Sequence, residues 1–212
     1  MRVFVFALGA HEDHAIKILS SSGVTTEDKV VVLVTKPISP EVRKAYNSLK
    51  EFTSKMGVKK LELIEVPSDL SQGILSIVNA FSDNSEYIVG ISEDAGYLVI
   101  LTFIALILSG RNALMHLCIE SSELSEGILI PKPLIKVLQN PLKEGEVRVL
   151  QEIVKNPGIS DEELAYVIGK KLKTIKSIIA SLRNLGLVIR KGRRRGIYST
   201  ELGKVIAEVM KP

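Results

Sequence analysis

The chain has 212 residues, 46% of them hydrophobic, which is enough to build a full core in one or two domains. Its single cysteine, Cys118, excludes an internal disulfide framework and fits a reducing cytoplasm. The overall charge of +4 conceals an asymmetry: residues 1–141 carry 13 basic and 16 acidic residues, a net of −3, whereas residues 142–212 carry 15 and 8, a net of +7. Two parts with different partners are therefore expected.

Residues 2–8 (RVFVFAL) form a short β-branched and aromatic run ending at Gly9, the pattern of a buried strand. No signal-peptide pattern precedes it, so an intracellular protein is expected. A helix is predicted over 12–22, with Ala15, Ile16 and Leu19 at helical spacing. Residues 29–35 (KVVVLVT) read as a second strand, closed by Lys36-Pro37. Pro40 opens a helix through Met56 that carries Val42, Ala45, Tyr46, Leu49 and Phe52 on one face and stops at Gly57. A third strand follows over 60–66. Ser68 or Asp69 then caps a helix carrying Ile74, Leu75, Ile77, Val78 and Phe81.

Residues 87–92 (YIVGIS) are a fourth strand, followed by the helix 97–109 (YLVILTFIALILS), which is apolar around nearly its whole circumference. Sheet packing alone would leave part of that helix bare, so a homodimer related by a two-fold axis is expected. Its apolar stretch is well short of the roughly 20 residues that cross a bilayer, and no membrane partner is expected. A fifth strand over 113–119 holds Cys118 as a small buried hydrophobe, and 127–131 (GILIP) makes a hairpin with it. Strands alternating with helices predict a mostly parallel sheet covered on both faces, in the Rossmann-like class. Pro131, Pro133 and Pro141 mark a linker. The expected organisation is a sheet domain over 1–131, a linker over 132–142 and a second domain over 143–212.

Sheets of this class bind ligands beyond the carboxyl ends of the strands, near the point where strand order reverses. Two loops meet that rule: 9–13 after the first strand and 92–97 after the fourth. Gly9 stands alone, with no GxGxxG, so no dinucleotide cofactor is expected, although amides near His11 and Glu12 can hold an anion. His11 and His14 are spaced i, i+3, but the pattern is not HExxH and the third histidine, His116, lies in a strand, so no metal is expected. Arg111 and His116 match an R-x4-H ribonuclease spacing, yet they straddle a turn and a strand. Glu93 and Asp94 are adjacent at a strand end, where side chains diverge. No catalytic residue emerges from these patterns.

The last third carries the clearest signal. Between residues 164 and 200 there is no Asp or Glu and there are ten Lys and Arg. A helix over 145–155 places Val147, Leu150, Ile153 and Val154 on one stripe. Ser160 and Glu163 form a capping box for the next helix, whose packing face is Leu164, Ala165, Val167 and Ile168. Gly169 makes a turn into a helix over 171–185 with Ile175, Ile178, Ile179 and Leu182 inward, and strands over 187–191 and 196–200 enclose an arginine-rich tip. This is a small winged helix-turn-helix domain. Its third helix leaves Lys170, Lys171, Lys173, Thr174, Lys176 and Ser177 outward near the end that enters a major groove. Arg190, Arg193, Arg194 and Arg195 of the wing suit phosphates or a minor groove. Double-stranded DNA is the expected partner.

The order "ALGAHEDHAIKIL", a Rossmann-like sheet, a proline-marked linker and a MarR-like winged helix is similar to archaeal CRISPR-associated transcription regulators, in which a CARF (CRISPR-associated Rossmann fold) domain precedes the winged helix. The resemblance covers nearly the whole chain, and "LGAHEDHAI" is its most particular part. It implies a dimer formed through the helix after the fourth strand and the final hairpin. It also implies an effector, cyclic tetra-adenylate, at the two-fold axis. The pocket would use Leu8, Gly9, Ala10, His11 and Asp13 with Ser92, Glu93, Asp94, Ala95, Gly96 and Tyr97. The second loop departs from the family pattern of two glycines followed by a hydroxyl and often a basic residue. Left unpaired, Glu93 and Asp94 would repel a polyanion.

The reading is a cytoplasmic, homodimeric DNA-binding transcription regulator of CRISPR-associated genes, with no cofactor. The alternatives are a ring nuclease that degrades cyclic oligoadenylate, a regulator that has lost nucleotide sensing, and a structural adaptor.

Overall fold

The computed structural model describes residues 1–82, 84–118, 128–191 and 196–210, and the chain forms two compact units, Met1–Ile135 and Lys136–Pro212. In the first unit the elements run β1 (Arg2–Ala7), α1 (Asp13–Ser21), β2 (Lys29–Thr35), α2 (Pro40–Lys55), β3 (Lys60–Val66), α3 (Leu70–Val78), β4 (Glu86–Ser92), α4 (Tyr97–Ser109), β5 (Ala113–Cys118) and β6 (Ile128–Ile130). The sheet order is β3-β2-β1-β4-β5-β6. β1 to β5 pair in parallel and only β6 runs antiparallel, against β5. The mostly parallel sheet and its terminal hairpin are as expected. The side chain of Cys118 lies outside the described residues.

β1 shows how the period of two builds both layers. Val3, Val5 and Ala7 enter one core with Ile77, Leu98, Leu101 and Ala105 of α3 and α4. Phe4, Phe6 and Leu8 enter the other with Ala15, Ile18 and Leu19 of α1 and Ala45 and Leu49 of α2. Each fully buried side chain of this size contributes about 1.5–3 kcal/mol. Opposite the ligand end, Arg2 and Asp28 tie the strand start to the turn before β2. The Asp28 carboxylate accepts from Arg2 N at 2.9 Å, Arg2 Nη2 at 2.7 Å, and Thr25 N and Oγ1 at 3.0 Å.

The stretch expected as a linker is largely a helix, α5 (Lys132–Gln139). Prolines at 131 and 133 sit at its start, where a missing N–H leaves no helical bond unmade, so they open a helix rather than interrupt the chain. The boundary between the units, at Ile135 and Lys136, falls inside it.

The second unit continues with α6 (Glu144–Lys155), α7 (Asp161–Ile168), α8 (Leu172–Asn184), β7 (Val188–Lys191), β8 (Gly196–Ser199) and α9 (Glu201–Val209). Val147, Leu150, Ile153, Leu164, Ile175, Ile179, Leu182, Leu187 and Ile197 form its core. Ser181 Oγ donates to Glu146 Oε1 at 2.7 Å and fastens α8 to α6. One expectation is corrected. Val167 is 54% exposed, because the inward arc of α7 is set by Leu164, Ala165 and Ile168. The residues after Thr200 add a further helix, α9: Thr200 Oγ1 accepts from Gly203 N at 3.1 Å, and Ala207 reaches the core.

Candidate effector loops and nucleic-acid interface

The chain leaves β1 for β2 and β3 on one side, then returns to place β4 on the other side of β1, so strand order reverses between β1 and β4. The parallel register Ala7↔Ile91 brings the loops after β1 and β4 together at the carboxyl end of the sheet. Leu8, Gly9, Ser92 and Ala95 are buried beneath this end, Ala10 is half-buried, and His11, Asp13, Glu93, Gly96 and Tyr97 are exposed. Tyr97 Oη donates to Val66 O at 3.3 Å, at the end of β3.

Asp94 joins the two loops. Its Oδ2 accepts from Ala10 N at 2.7 Å, from His11 N at 3.2 Å and lies 3.1 Å from His11 Nδ1, while Ser92 Oγ donates to Oδ1. The side chain is 21% exposed. Burial opposes its ionisation, but the hydrogen bonds from Ser92, His11 and the two amides outweigh it and hold the carboxyl below its ordinary value. The carboxylate lies directly against Gly9, where any side chain would run into it. Asp94 is thus not an unpaired carboxylate, and the expected repulsion is corrected on that point. Nothing in the sequence signals a bond across 84 positions. It exists because β1 and β4 are neighbours.

The two histidines of the first loop separate. His11 is exposed beside Asp94, whereas His14 is buried edge-on against Phe6, with ring centroids 6.2 Å apart. Burial holds His14 below its ordinary value, despite the Asp94 and Asp13 carboxylates and a backbone hydrogen bond to His11 that favour its charged form. Among the described residues no three His, Cys, Asp or Glu side chains are grouped to hold a metal. Arg111 caps a turn, donating from Nε to Phe81 O at 2.9 Å and from Nη2 to Ser82 O at 2.8 Å.

In the second unit, Ser160 Oγ accepts from Glu163 N at 3.2 Å and Glu163 Oε2 accepts from Ser160 N at 2.9 Å, which starts α7 with both termini of the box satisfied. Gly169, at φ 71°, ends the helix in the left-handed conformation that permits the sharp turn into α8. Lys170, Lys171, Lys173, Thr174, Lys176 and Ser177 are all exposed, opposite Ile175, Ile179 and Leu182. Arg190 differs from them. It is half-buried, and its Nη2 lies 2.6 Å from Asp161 Oδ1 at the start of α7. Arg193, Arg194 and Arg195 lie outside the described residues.

A family model described as the Csa3 CRISPR-associated Rossmann-like domain matches residues 2–130. The chain is 22% identical over 213 aligned residues, covering 100% of it and 90% of the relative, to a CRISPR locus-related protein, Csa3 of Saccharolobus solfataricus, named for an expected DNA-binding role. Among solved structures, the multiple antibiotic-resistance repressor MarR of Listeria monocytogenes aligns at a TM-score of 0.30 with 19% identity, over 32% of this chain and 48% of that one. A RuvB variant of Thermotoga maritima aligns at a TM-score of 0.31 with 14% identity, over 100% and 80%. Superpositions this loose do not bear on the fold, and the winged helix rests on the elements described above.

Proposed function

Since the chain belongs to the family of Csa3 CRISPR-associated Rossmann-like domains, we propose that it is a homodimeric, cytoplasmic DNA-binding regulator of transcription at CRISPR-associated genes. One observation carries this reading most directly: an acid-free window of ten basic residues falls on a helix-turn-helix, with its lysines exposed along α8 and its aliphatics buried. Neutralising phosphates with such a face releases condensed counterions, and side chains at the start of α8 are placed to meet base edges. The name of the relative from Saccharolobus solfataricus points the same way.

The dimer is supported by α4. Ile100 and Leu108 are 63% and 67% exposed, and Val99, Ile100 and Phe103 line an apolar depression with Leu117 and Ile130 of the terminal hairpin. A two-fold copy would cover this face. The effector proposed for the loops after β1 and β4 is a cyclic oligoadenylate, bound without cleavage. His14 is buried against Phe6 and is not placed to act as a general base, whereas the exposed His11 beside Asp94 has the geometry of a carboxylate-oriented imidazole and is what the ring-nuclease alternative would use. Among the described residues no helix is long and apolar enough to cross a membrane.

Genome-wide mapping of binding sites, followed by anisotropy titrations on the recovered duplexes, tests the reading. Enrichment at promoters of CRISPR-associated genes and a steep loss of affinity with salt are expected. Failure to bind any recovered duplex favours the adaptor, and linear products from labelled cyclic tetra-adenylate favour the ring nuclease.

A further inference from the structure

The amides of Ala10 and His11 and the imidazole of His11 converge on one oxygen, Asp94 Oδ2, at the carboxyl end of β1. Two backbone donors and an imidazole nitrogen meeting one anionic oxygen, beside a glycine that leaves room for close approach, is an arrangement that suits a phosphodiester oxygen. In this chain that position is filled by the chain's own carboxylate, which Ser92 Oγ also steadies from the other side.

We propose that Asp94 is a built-in competitor for the anion position of the effector loops: a phosphate enters only when the carboxylate swings out, so Asp94 sets how tightly, and at what effector concentration, the protein responds. This rests on the effector reading above and deepens it. The charge of Glu93 acts differently. It is exposed and lies on the same turn, so its repulsion is screened by solvent, whereas Asp94 excludes the ligand by occupying its place. Displacing Asp94 also moves the Glu93–Ala95 turn, which leads through Gly96 directly into α4. Effector entry is thereby linked to the helix whose outer face is bare. When the open state is a small fraction of the population, apparent affinity falls by that fraction, so a tenth open weakens binding about tenfold.

The test compares the full-length wild type with Asp94→Ala, Asp94→Asn and Glu93→Gln, by calorimetry with cyclic tetra-adenylate and, separately, with inorganic diphosphate. Asp94→Asn keeps the side-chain shape should Asp94→Ala fail to fold. Amide spectra report whether the Ala10 and His11 signals move when anion is added. The expected result is a gain of about tenfold or more in Asp94→Ala, a smaller gain in Asp94→Asn, whose amide oxygen still accepts from the two N–H groups but more weakly, amide shifts at Ala10 and His11, and little change in Glu93→Gln. An equal gain in Glu93→Gln overturns the proposal, because charge alone then accounts for it. Tight binding of cyclic tetra-adenylate that is the same in wild type and Asp94→Ala also overturns it and leaves the effector reading standing. A gain for diphosphate with no binding of cyclic tetra-adenylate to wild type or any variant supports the competitor and removes the effector. No gain for either anion in any variant overturns the competitor, and the wild-type titration then decides the effector.

Discussion

Replacing Arg190 with Ala separates a wing residue that holds structure from one that touches DNA. The Nη2–Oδ1 distance to Asp161 is 2.6 Å, and the two side chains are 27% and 13% exposed. A hydrogen bond between charged groups contributes about 1.5–3 kcal/mol when shielded and about 0–1 kcal/mol at an open surface, so this pair should couple by about 1–2 kcal/mol. A double-mutant cycle of Arg190→Ala and Asp161→Ala isolates that coupling from the effect of Asp161 on the α7 terminus. Hydrogen exchange of the α6–α9 peptides in the intact chain reads the stability of this unit alone, which a single global midpoint would not. Anisotropy titrations over a range of salt then count phosphate contacts. Arg190→Ala should leave the salt slope unchanged, while losing Lys173 or Lys176, if it meets a phosphate, flattens it by about 0.9. A flattened slope for Arg190→Ala together with no coupling to Asp161 would refute the assignment and return Arg190 to the DNA.

Ile100→Glu places a charge on the bare face of α4 and should convert a dimer to a monomer at micromolar concentration; sedimentation masses in analytical ultracentrifugation that are dimeric in both proteins would count against that face, as would a monomeric wild type. Gly9→Ala should destabilise the first unit by about 1–3 kcal/mol through overlap with the Asp94 carboxylate, and adding Asp94→Gly should restore most of the loss; thermal melts that show no rescue would mean that the clash lies elsewhere. Asp28→Asn should cost about 2–3 kcal/mol at neutral pH, since it breaks a largely buried pair with Arg2. Burial works against the Asp28 charge, but the Arg2 and Thr25 bonds hold its carboxyl well below the usual range. Its contribution is therefore complete above the unfolded value of about 4 and is lost as pH falls toward the folded one. Denaturation curves of both proteins should converge only below about pH 4, and convergence already near neutrality would contradict this.

Most of the elements are legible from local chemistry. Buried strands such as Lys29–Thr35 announce themselves as β-branched runs, and the Ser160–Glu163 box marks α7. The exposed lysines of α8 follow from the aliphatic period beside them, because one face of a helix fixes the other. One residue type can serve two roles: Pro131 and Pro133, which mark the stretch between the domains in the sequence, also stand at the start of α5. The partners of the charged side chains lay beyond the sequence altogether. That Asp94 bonds Ala10 and His11, that Arg190 meets Asp161, and that His14 leaves His11 to pack on Phe6 are consequences of which strands and helices become neighbours. A hydrophobic period specifies which face of an element is buried, but not what stands across from it. That is settled only when β4 docks beside β1 and β7 comes against the start of α7, which bring together residues 84 and 29 positions apart.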